Sequence, residues 1–458
     1  MFLGTSINSS LQNATLGLRF DKNLLAYLND DFLKIGSNNW VTRANLSPGV
    51  MPVVANDPHQ DASILPGPLY PCGLMTPDLR AVGVTVPGFG GMVIGRTAHI
   101  ALGATNAYGD TQDLYVETID PDNPHNYLEG SVSILFVVIE ETLKIKDKTV
   151  SGGFKEEKII IRLTRRGPVI SDVIPGLETN KVITVRWSGF EVQSPSIGLE
   201  KLVGCRTVEE TRQALGSFNQ IALNFVIADT KGNIGWQTTG KIPLRTQEEG
   251  LVPYVVRGST DNWTGWIPWE DMPHAVNPER DWLGTCNQLT VGRDYPYHYT
   301  THASPTYRYR RLIELMDAPG KKSVDDHWAF QRDALNLMGK TIAPIISRVL
   351  LAHEDTKNMG QILADWDFVD APGKAAPTIF QAVYREFALL AYADELGDDL
   401  ADPDKILAVL PGGVTGRQFD PHTTDQVKSF MDGSKVYWWF SDKAIKEHTQ
   451  HTLTLSPN

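Results

Sequence analysis

The hydrophobic pattern of this chain changes once along its length, near residue 305. Before that point, short apolar runs separated by turn residues predict strands, among them 40–42, 51–55, 82–86, 99–102, 114–118, 159–163 and 182–187. Residues 223–228 and 234–237 are predicted to form a hairpin. After that point, apolar residues at helical spacing predict helices at 307–316, 326–335, 342–352 and 378–392. Strands followed by helices favour an α+β fold built of packed layers.

The chain is long enough for a large core and too acidic for a nucleic-acid surface. It has 458 residues, 41% of them hydrophobic, with 39 Gly and 28 Pro, which excludes a low-complexity or collagen-like chain. Its formal net charge is −12, whereas surfaces that follow phosphates are basic. It has no run of about 18 apolar residues. We therefore expect neither a nucleic-acid nor a membrane partner.

The N-terminus and the cysteines leave the localisation open. The first residues carry no basic region followed by a long apolar stretch, so no signal peptide is predicted. Cys72, Cys205 and Cys286 are odd in number and far apart, which favours neither a disulfide framework nor a zinc site. A large core needs no disulfides in any compartment.

Several short motifs occur in a fixed order along most of the chain, although common signatures such as GxGxxG, HExxH and G-x-S-x-G are missing. The motifs, with their positions, are GSNNWV (36–41), PVVANDPH (52–59), GATN (103–106), TRRGPV (164–169), LNF (223–225), WTGWIP (263–268), QRD (331–333) and PGGVTG (411–416). Together they resemble the catalytic chain of the penicillin acylase family, which are N-terminal nucleophile (Ntn) hydrolases. Each motif alone is weak, but the ordered set is specific.

This resemblance implies a fold and a division of the chain. The fold is a four-layer αββα arrangement with a helical insertion or subdomain. Residues 1–36 correspond to a remnant of the α-chain and spacer before a self-cleavage site, and 37–300 to the β-rich catalytic core. Residues 301–400 correspond to a helical subdomain, and 401–458 to the closing segment. Relatives have a long α-chain before the nucleophile, so a separate or missing α-chain is an expected partner.

The nucleophile implied by the resemblance is Ser37, released by cleavage of the bond after Gly36. A serine hydroxyl needs a base beside it, and an N-terminal serine has its own α-amine, with an ordinary pKa of about 7.7–8.0. Glycine at position 36 suits the reaction, because a residue without Cβ tolerates a strained backbone. Taken alone, Gly-Ser is a common turn sequence.

By resemblance, the oxyanion donors are the side-chain amide of Asn224 and the backbone N–H of Asn106. Acyl transfer needs such preorganised donors. Asn224 stands inside an apolar run, where an amide must be satisfied, so a structural role is the alternative. His59 stands where several relatives carry His, and could orient the α-amine of Ser37 or relay its proton. Arg245 matches a family arginine near the active site, although a surface arginine is nearly as plausible.

The resemblance also implies a structural calcium site. Its ligands would be Asp110, Gln112 through its backbone carbonyl, Asp113 and Asp229, since calcium takes about six to eight oxygens. Without calcium these are loop carboxylates. No organic cofactor is expected.

The sequence therefore predicts an amidohydrolase that cleaves a linear amide of a small N-acyl substrate, such as a β-lactam side chain or an acyl-homoserine lactone. The first alternative is a truncated, non-catalytic relative that is not processed. The second is a binding module in which Trp263, Trp266 and Trp269 stack on sugars.

Overall fold

A computed structural model describes residues 36–60, 67–173, 181–191, 196–246, 253–300 and 303–396. The segments predicted as an α-chain remnant (before residue 36) and as the closing segment (401–458) lie outside these ranges. The strands are β1 Gly36–Thr42, β2 Val53–His59, β3 Tyr70–Met75, β4 Arg80–Thr85, β5 Ile94–Thr97, β6 Ile100–Asn106, β7 Gln112–Ile119, β8 Asn126–Glu129, β9 Val132–Leu135, β10 Val137–Lys146, β11 Phe154–Thr164, β12 Gly167–Pro168, β13 Lys181–Trp187, β14 Leu223–Asp229, β15 Ile234–Thr238, β16 Pro243–Arg245, β17 Tyr254–Val255, β18 Trp263–Trp266, β19 His274–Val276 and β20 Trp282–Thr285. The helices are α1 Ser188–Glu191, α2 Leu199–Leu202, α3 Val208–Leu215, α4 Tyr307–Asp317, α5 Val324–Gln331, α6 Leu337–Leu351, α7 Lys357–Ala364 and α8 Ala375–Leu396.

Two sheets form the centre of the fold. The first has three strands in the order β2-β1-β20, all antiparallel. The second has seven strands in the order β19-β15-β14-β6-β5-β4-β3. A further sheet contains β13, β7, β8 and β9, and the long hairpin β10–β11 is paired separately.

Strand β1 shows why the two central sheets stack and where the helices lie. Successive side chains of a strand point to opposite faces. Trp40 packs with Leu312 and Met316 of α4, whereas its neighbour Val41 packs with Val226 and Ile234 of the second sheet. One face of β1 therefore meets helices and the other meets a sheet.

The second sheet is covered in turn by helices on its outer face. Phe225 and Ile227 of β14, which alternate with Val226, pack with Leu202 of α2 and with Val208 and Leu215 of α3. The order of layers is helix, sheet, sheet, helix, which confirms the α+β class and the four-layer αββα arrangement.

The sequence patterns identified most elements that the described ranges contain. The hairpin at β14 and β15 and the helix from Tyr307 are confirmed. Strand β2 continues through Pro58 to His59, four residues beyond the predicted end. It is an edge strand of its sheet, a position where proline is tolerated. The short helices α2 and α3 were not predicted, because the residues before β14 show no long series of apolar side chains at helical spacing.

Two buried polar groups connect elements that are distant in sequence. The Arg166 guanidinium contacts Glu129 at 2.6 Å and Glu117 at 3.3 Å, with all three side chains nearly inaccessible to solvent. The Trp40 indole N–H donates to Nδ1 of His327 at 2.9 Å, and burial lowers the pKa of this histidine.

In the described ranges all three cysteines are free, and no helix is long and apolar enough to cross a membrane.

Candidate active site

Ser37 is the second residue of β1 and is 6% exposed. Its backbone N–H donates to Oδ1 of Asn287 at 2.6 Å. Its hydroxyl donates to the carbonyl oxygen of Gly36 at 2.6 Å. The hydroxyl oxygen therefore lies directly beside the peptide bond that precedes it.

Gly36 has little space for a side chain. A Cβ built at this position lies 3.3 Å from Nη2 of Arg308 and 3.3 Å from Nδ1 of His59. Contacts of this length are tighter than almost all real Cβ contacts. The place that a side chain of residue 36 would occupy is thus bordered by a guanidinium and an imidazole.

Asn287 and Arg308 hold the backbone around Ser37. Asn287, which is fully buried, donates through Nδ2 to the carbonyl oxygen of Asn106 at 2.8 Å. Arg308 donates to the carbonyl oxygen of Ser37 at 2.8 Å, to Oδ1 of Asn38 at 2.6 Å and to Oδ1 of Asn287 at 3.0 Å.

Asn224 lies on the face of β14 that meets β1. It precedes Val226 by two residues and so shares its face, and its carbonyl oxygen accepts from Nδ2 of Asn39 at 2.9 Å. Asn39 is in turn two residues after Ser37, on the same face of β1. The hydrogen bond between Asn39 and Asn224 therefore places the start of β1 near the end of β14 that carries Asn224.

Within the described residues, the side-chain amide of Asn224 forms hydrogen bonds through its oxygen but not through its nitrogen. Its Oδ1 accepts from Nε1 of Trp236 at 3.0 Å and from the Thr238 hydroxyl at 2.8 Å. Its Nδ2 is buried and has no hydrogen-bond partner within the described part of the chain. Buried polar groups are almost always paired, so a free donor here requires an explanation.

The second predicted oxyanion donor is the backbone N–H of Asn106. Asn106 is opposite Leu223 in the β6–β14 ladder, and the next residue, Ala107, donates to the carbonyl of Ala222 at 3.0 Å. Hydrogen-bonded pairs alternate along an antiparallel ladder. The N–H of Asn106 therefore points out of this ladder.

His59 is paired with a carboxylate. Its Nε2 lies 2.9 Å from Oδ2 of Asp57, and Nδ2 of Asn38 donates to the same oxygen at 3.3 Å. The hydrogen bond with His59 holds the pKa of the Asp57 carboxyl below its usual range. The imidazole is thus oriented at the end of β2, opposite Gly36 in the β1–β2 register.

A cavity of about 290 Å³ opens on the side of β1 that carries Asn38 and Trp40. Its polar lining includes Asp57, His59 and Arg308. It is thus next to the groups that surround the Gly36–Ser37 bond.

The Arg245 guanidinium forms ion pairs with two carboxylates. Its Nε donates to both oxygens of Asp113, at 3.1 and 2.9 Å, and its Nη2 lies 3.2 Å from Oδ2 of Asp110. Burial raises the pKa of the Asp113 carboxyl, and Arg245 opposes this rise. The Asn224 side chain accepts from Trp236 and Thr238, so the role predicted for Arg245 beside Asn224 has no direct contact to support it among the described residues.

A sequence model of penicillin amidases matches residues 2–401. The chain belongs to the penicillin amidase family. Among the relatives of this chain, penicillin acylase 2 proenzyme of Pseudomonas sp. (strain SE83) is 27% identical over 417 residues, which is 90% of this chain and 52% of the relative.

Two other relatives carry different names. An acyl-homoserine lactone acylase QuiP of Pseudomonas aeruginosa is 28% identical, covering 66% of this chain and 36% of the relative. Penicillin G acylase of Escherichia coli is 27% identical, covering 73% of this chain and 39% of the relative. The chain thus spans about half the length, or less, of these relatives.

The fold agrees with a solved structure. Thermostable penicillin G acylase from Alcaligenes faecalis, in its orthorhombic form, superposes with a TM-score of 0.71 at 19% identity, over 92% of this chain and 77% of the other. The resemblance to the penicillin acylase family and the Ntn-hydrolase fold are therefore confirmed for this chain.

The four predicted calcium ligands do not form one site. Asp110 and Asp113 lie at one end of β6 and β14, with Arg245 between them. Asp229 pairs with Ile100 at the opposite end, where it accepts from the backbone N–H of Lys231 and Asn233. The side-chain Oε1 of Gln112 is buried without a partner among the described residues.

The charge around Asp110 and Asp113 is also unfavourable for calcium. Within the described ranges, no group of three or more His, Cys, Asp or Glu side chains could hold a metal ion. The Arg245 guanidinium already takes both oxygens of Asp113, so the residues as placed do not fit calcium, which prefers six to eight oxygens. The calcium site predicted from the resemblance is untested, and metal analysis of the purified chain would test it.

The tryptophans proposed as a sugar platform have other partners. Trp263 is buried, and its indole N–H donates to Asp113. It meets Trp266 edge to face, with ring centroids 5.5 Å apart. A stacking surface would need open ring faces.

The sequence predicted roles for Ser37, His59, Asn106 and Asn224 but assigned none to Asn287 or Arg308. These two residues contact Ser37 across 250 and 271 residues of chain. Arg308 lies in the first turn of a helix whose pattern was predicted, yet neither a pattern nor a spacing distinguishes an arginine that binds another segment from one on the surface.

Proposed function

We propose that this chain is an amidohydrolase that cleaves a linear amide of a small N-acyl substrate, with Ser37 as the nucleophile. The observation that carries the proposal is the 2.6 Å contact between the Ser37 hydroxyl and the carbonyl of Gly36. Membership of the penicillin amidase family supports the reaction class.

Self-cleavage comes first in the proposed mechanism. The Ser37 hydroxyl attacks the carbonyl carbon of Gly36, the C–N bond breaks, and an ester forms. Water then hydrolyses the ester, which leaves a carboxylate on Gly36 and a free α-amine on Ser37. His59, next to Gly36 and oriented by Asp57, is placed to move a proton in these steps.

Substrate hydrolysis uses the same serine. The α-amine takes the hydroxyl proton as Oγ attacks the amide carbonyl, and then returns it to the leaving amine. Water resolves the acyl-enzyme. The oxyanion is stabilised by Nδ2 of Asn224 and the N–H of Asn106, and preorganised donors of this kind are often the largest contribution to such catalysis.

The unpaired donor of Asn224 supports this assignment. A structural asparagine at this position would use both ends of its amide, because an unmet buried donor costs about 1–3 kcal/mol. Here Oδ1 is used twice and Nδ2 is not used within the described residues. A site that keeps a donor free is ready for an anion that forms only during the reaction.

The test is the intact mass of the wild type and of the Ser37→Ala variant, each then incubated with penicillin G and with N-acyl-homoserine lactones of several chain lengths. Cleavage after Gly36 and release of the acyl group are expected in the wild type alone. Ser188→Ala is the matched control, because Ser188 is a fully buried serine outside this site. Amide hydrolysis that survives in Ser37→Ala would refute the mechanism, and an intact bond with no hydrolysis in the wild type would favour the unprocessed alternative.

A further inference from the structure

The long hairpin of β10 and β11 is a two-stranded ribbon whose outer strand is exposed to solvent. Within the described ranges, β10 pairs with β11 alone, while β11 also pairs with the short β12. All 10 residues of β10 are exposed. A two-stranded ribbon is at best marginally stable in water by itself, and a long exposed edge strand is a template for pairing with another strand. The ribbon therefore has the form of a binding edge.

One face of this hairpin is mostly apolar. Successive residues of a strand point to opposite faces, and the β10–β11 register places the odd-numbered residues of both strands on the same face. The apolar members of this face are Val137, Ile139, Leu143, Ile145, Ile159, Ile161 and Leu163. In the outer strand, Ile139, Leu143 and Ile145 are 40–46% exposed. A contiguous apolar surface of this kind marks an interaction site.

Hydrogen bonds beside the hairpin strands show which residues of β10 face the open edge. Asp147 donates to the carbonyl of Gly153 at 2.9 Å, in the same register as the strand pairs. On the other side of β11, Val169 donates to the carbonyl of Arg162 at 2.8 Å. Because bonded pairs alternate along an antiparallel ladder, the odd-numbered residues of β10 bond to β11. The N–H and C=O groups of the even-numbered residues in 138–146 therefore point to the open edge.

We propose that this open edge pairs with β10 of a second copy of the chain, antiparallel and about a two-fold axis at Thr142. The hairpins of the two copies then form one continuous sheet. Each pair of residues that faces the edge exchanges two backbone hydrogen bonds, which gives about ten over the paired stretch 138–146. A typical protein interface has about ten direct hydrogen bonds. The inference does not depend on the proposed function, because it gives Ser37 no role.

The charges of β10 favour this partner and this register. With the axis at Thr142, Glu140 of one copy lies directly opposite Lys144 of the other, and the symmetry forms this pair twice. Opposite charges that face each other across two strands stabilise the pairing, whereas like charges weaken it. An axis at Glu141 would set two copies of that carboxylate against each other, and an axis at Leu143 would shorten the paired stretch. Because the strand is complementary to itself in charge, a second copy fits it.

The same register also extends the apolar face. Ile139 lies opposite Ile145 of the second copy on this face, so the apolar side chains of the two hairpins form one row. Stacking the apolar faces of two copies against each other is less favourable, because Glu141 and Glu157 lie within that face and would lose their water. Edge pairing leaves both carboxylates in solvent.

The contacts that these charges already make are compatible with the dimer. Glu140 contacts Lys158 of β11 at 2.6 Å, with both side chains more than half exposed, so this pair contributes little to stability. Lys144 lies opposite Glu156 in the β10–β11 register. In the dimer Glu140 lies between Lys158 of its own chain and Lys144 of the second copy.

The experiment measures association of the full chain by sedimentation velocity over a range of concentrations. The variants are Glu140→Lys, Lys144→Glu and the double variant that carries both changes. A dimer is expected for the wild type. Each single change sets like charges opposite each other twice and should raise the dimer Kd at least about ten-fold. The double variant should dimerise like the wild type.

A mixture of the two single variants gives the most specific result. In a heterodimer of Glu140→Lys with Lys144→Glu, each pair of facing side chains is again opposite in charge. The equimolar mixture should therefore form a heterodimer more tightly than either variant forms a homodimer. This result requires residue 140 of one copy to face residue 144 of the other.

Thr142→Pro tests the backbone pairing. The N–H of Thr142 points to the open edge, so proline removes a hydrogen bond to the second copy and none to β11. This variant should be monomeric with the wild-type melting temperature of the monomer. The matched control is Lys158→Gln, which removes the contact with Glu140 but lies on β11, away from the edge. It should leave the dimer Kd unchanged.

Hydrogen exchange over residues 137–146 identifies what covers the edge. Exchange should slow as the protein concentration rises and should not slow in Thr142→Pro. Slow exchange that is independent of concentration would show that another segment or another partner covers β10, and would refute the dimer. A wild type that stays monomeric at all concentrations, or a dimer whose Kd is insensitive to the charge changes and their mixture, would also refute it.

The same measurements in Ser37→Ala separate this proposal from the proposed function. Ser37→Ala should form the dimer with the wild-type Kd, whether or not the wild type cleaves itself. Failure of self-cleavage or hydrolysis therefore leaves the dimer test intact, and a monomeric chain leaves the proposed function intact.

Discussion

Asn224 offers the most direct test of the site, because one substitution can remove its donor and keep its acceptor. In Asn224→Asp, a carboxylate oxygen replaces Nδ2, while the other oxygen can still accept from Trp236 and Thr238. The lost Nδ2 has no partner to leave unpaired within the described residues. The structure therefore predicts little loss of folding energy from the missing donor itself.

The expected effect on the reaction is large. Loss of one oxyanion donor costs about 2.7–4 kcal/mol of transition-state stabilisation, or about 10²–10³ in rate. A negative charge placed towards a forming oxyanion adds to this cost. Self-cleavage and substrate hydrolysis both pass through such an anion, so both rates should fall by at least this factor.

Asn224→Ala should behave differently and serves as the comparison. It removes the donor and also the acceptor, which leaves the buried Thr238 hydroxyl and the half-buried Trp236 indole without a partner. At about 1–3 kcal/mol for each of the two unmet groups, we expect a loss of about 2–6 kcal/mol in the free energy of unfolding.

The assays are intact mass against time, hydrolysis of an N-acyl substrate, and unfolding in urea. We expect both variants to be slow. Asn224→Asp keeps the contacts to Trp236 and Thr238 but buries a carboxyl group, so its free energy of unfolding should fall as rising pH ionises that group, whereas Asn224→Ala should be less stable at every pH. Wild-type rates in a folded Asn224→Asp protein would refute the oxyanion role, because the amide would then be structural.

Four further results are expected. Gly36→Val should block cleavage after residue 36 in intact-mass assays, since even a Cβ there lies 3.3 Å from two side chains; unchanged cleavage would contradict this. His327 has a lowered pKa, so the unfolded state binds more protons below about pH 6.5 and stability should fall as the pH drops through that value; the fall should be smaller in His327→Gln, as measured by urea unfolding. Arg166→Ala should cost about 3–5 kcal/mol in the same assay, because it leaves the buried Glu117 carboxylate with hydroxyl donors and no cation. EDTA should leave the melting temperature unchanged, because Arg245 supplies the positive charge between its two aspartates; a clear drop would indicate a bound metal.

Local patterns predicted the elements well where the periodicity is strong. The helix from Tyr307 and the hairpin at β14 and β15 have clear periods of 3.6 and 2, and both are confirmed. The helices α2 and α3 are four and eight residues long, too short for a period to emerge. Their formation depends on packing against Phe225 and Ile227, which a local pattern does not contain.

The site was predicted only in part, for a related reason. Ser37 and Asn224 stand out because a resemblance to a family names them and because an amide in an apolar run is unusual. Asn287 follows a buried strand in a stretch with no distinctive motif, and its left-handed φ is invisible in the sequence. Arg245 meets Asp110 and Asp113 only because distant segments of the chain come together in the fold. The spacing of these residues in the sequence therefore could not test the arrangement expected around calcium.

Strand β1 explains how so many of these groups meet at one bond. Its alternation sends Ser37, Asn39 and Val41 towards the second sheet, where β14 supplies Asn224. The intervening residues, Asn38 and Trp40, face the helices, and from that side Arg308 reaches the Ser37 carbonyl. A strand between a sheet and a helix layer thus places Ser37 on the side of the second sheet while Arg308 binds its backbone from the helix side. Moving the serine by one residue would exchange the two faces, so the position of Ser37 in the strand matters as much as its identity.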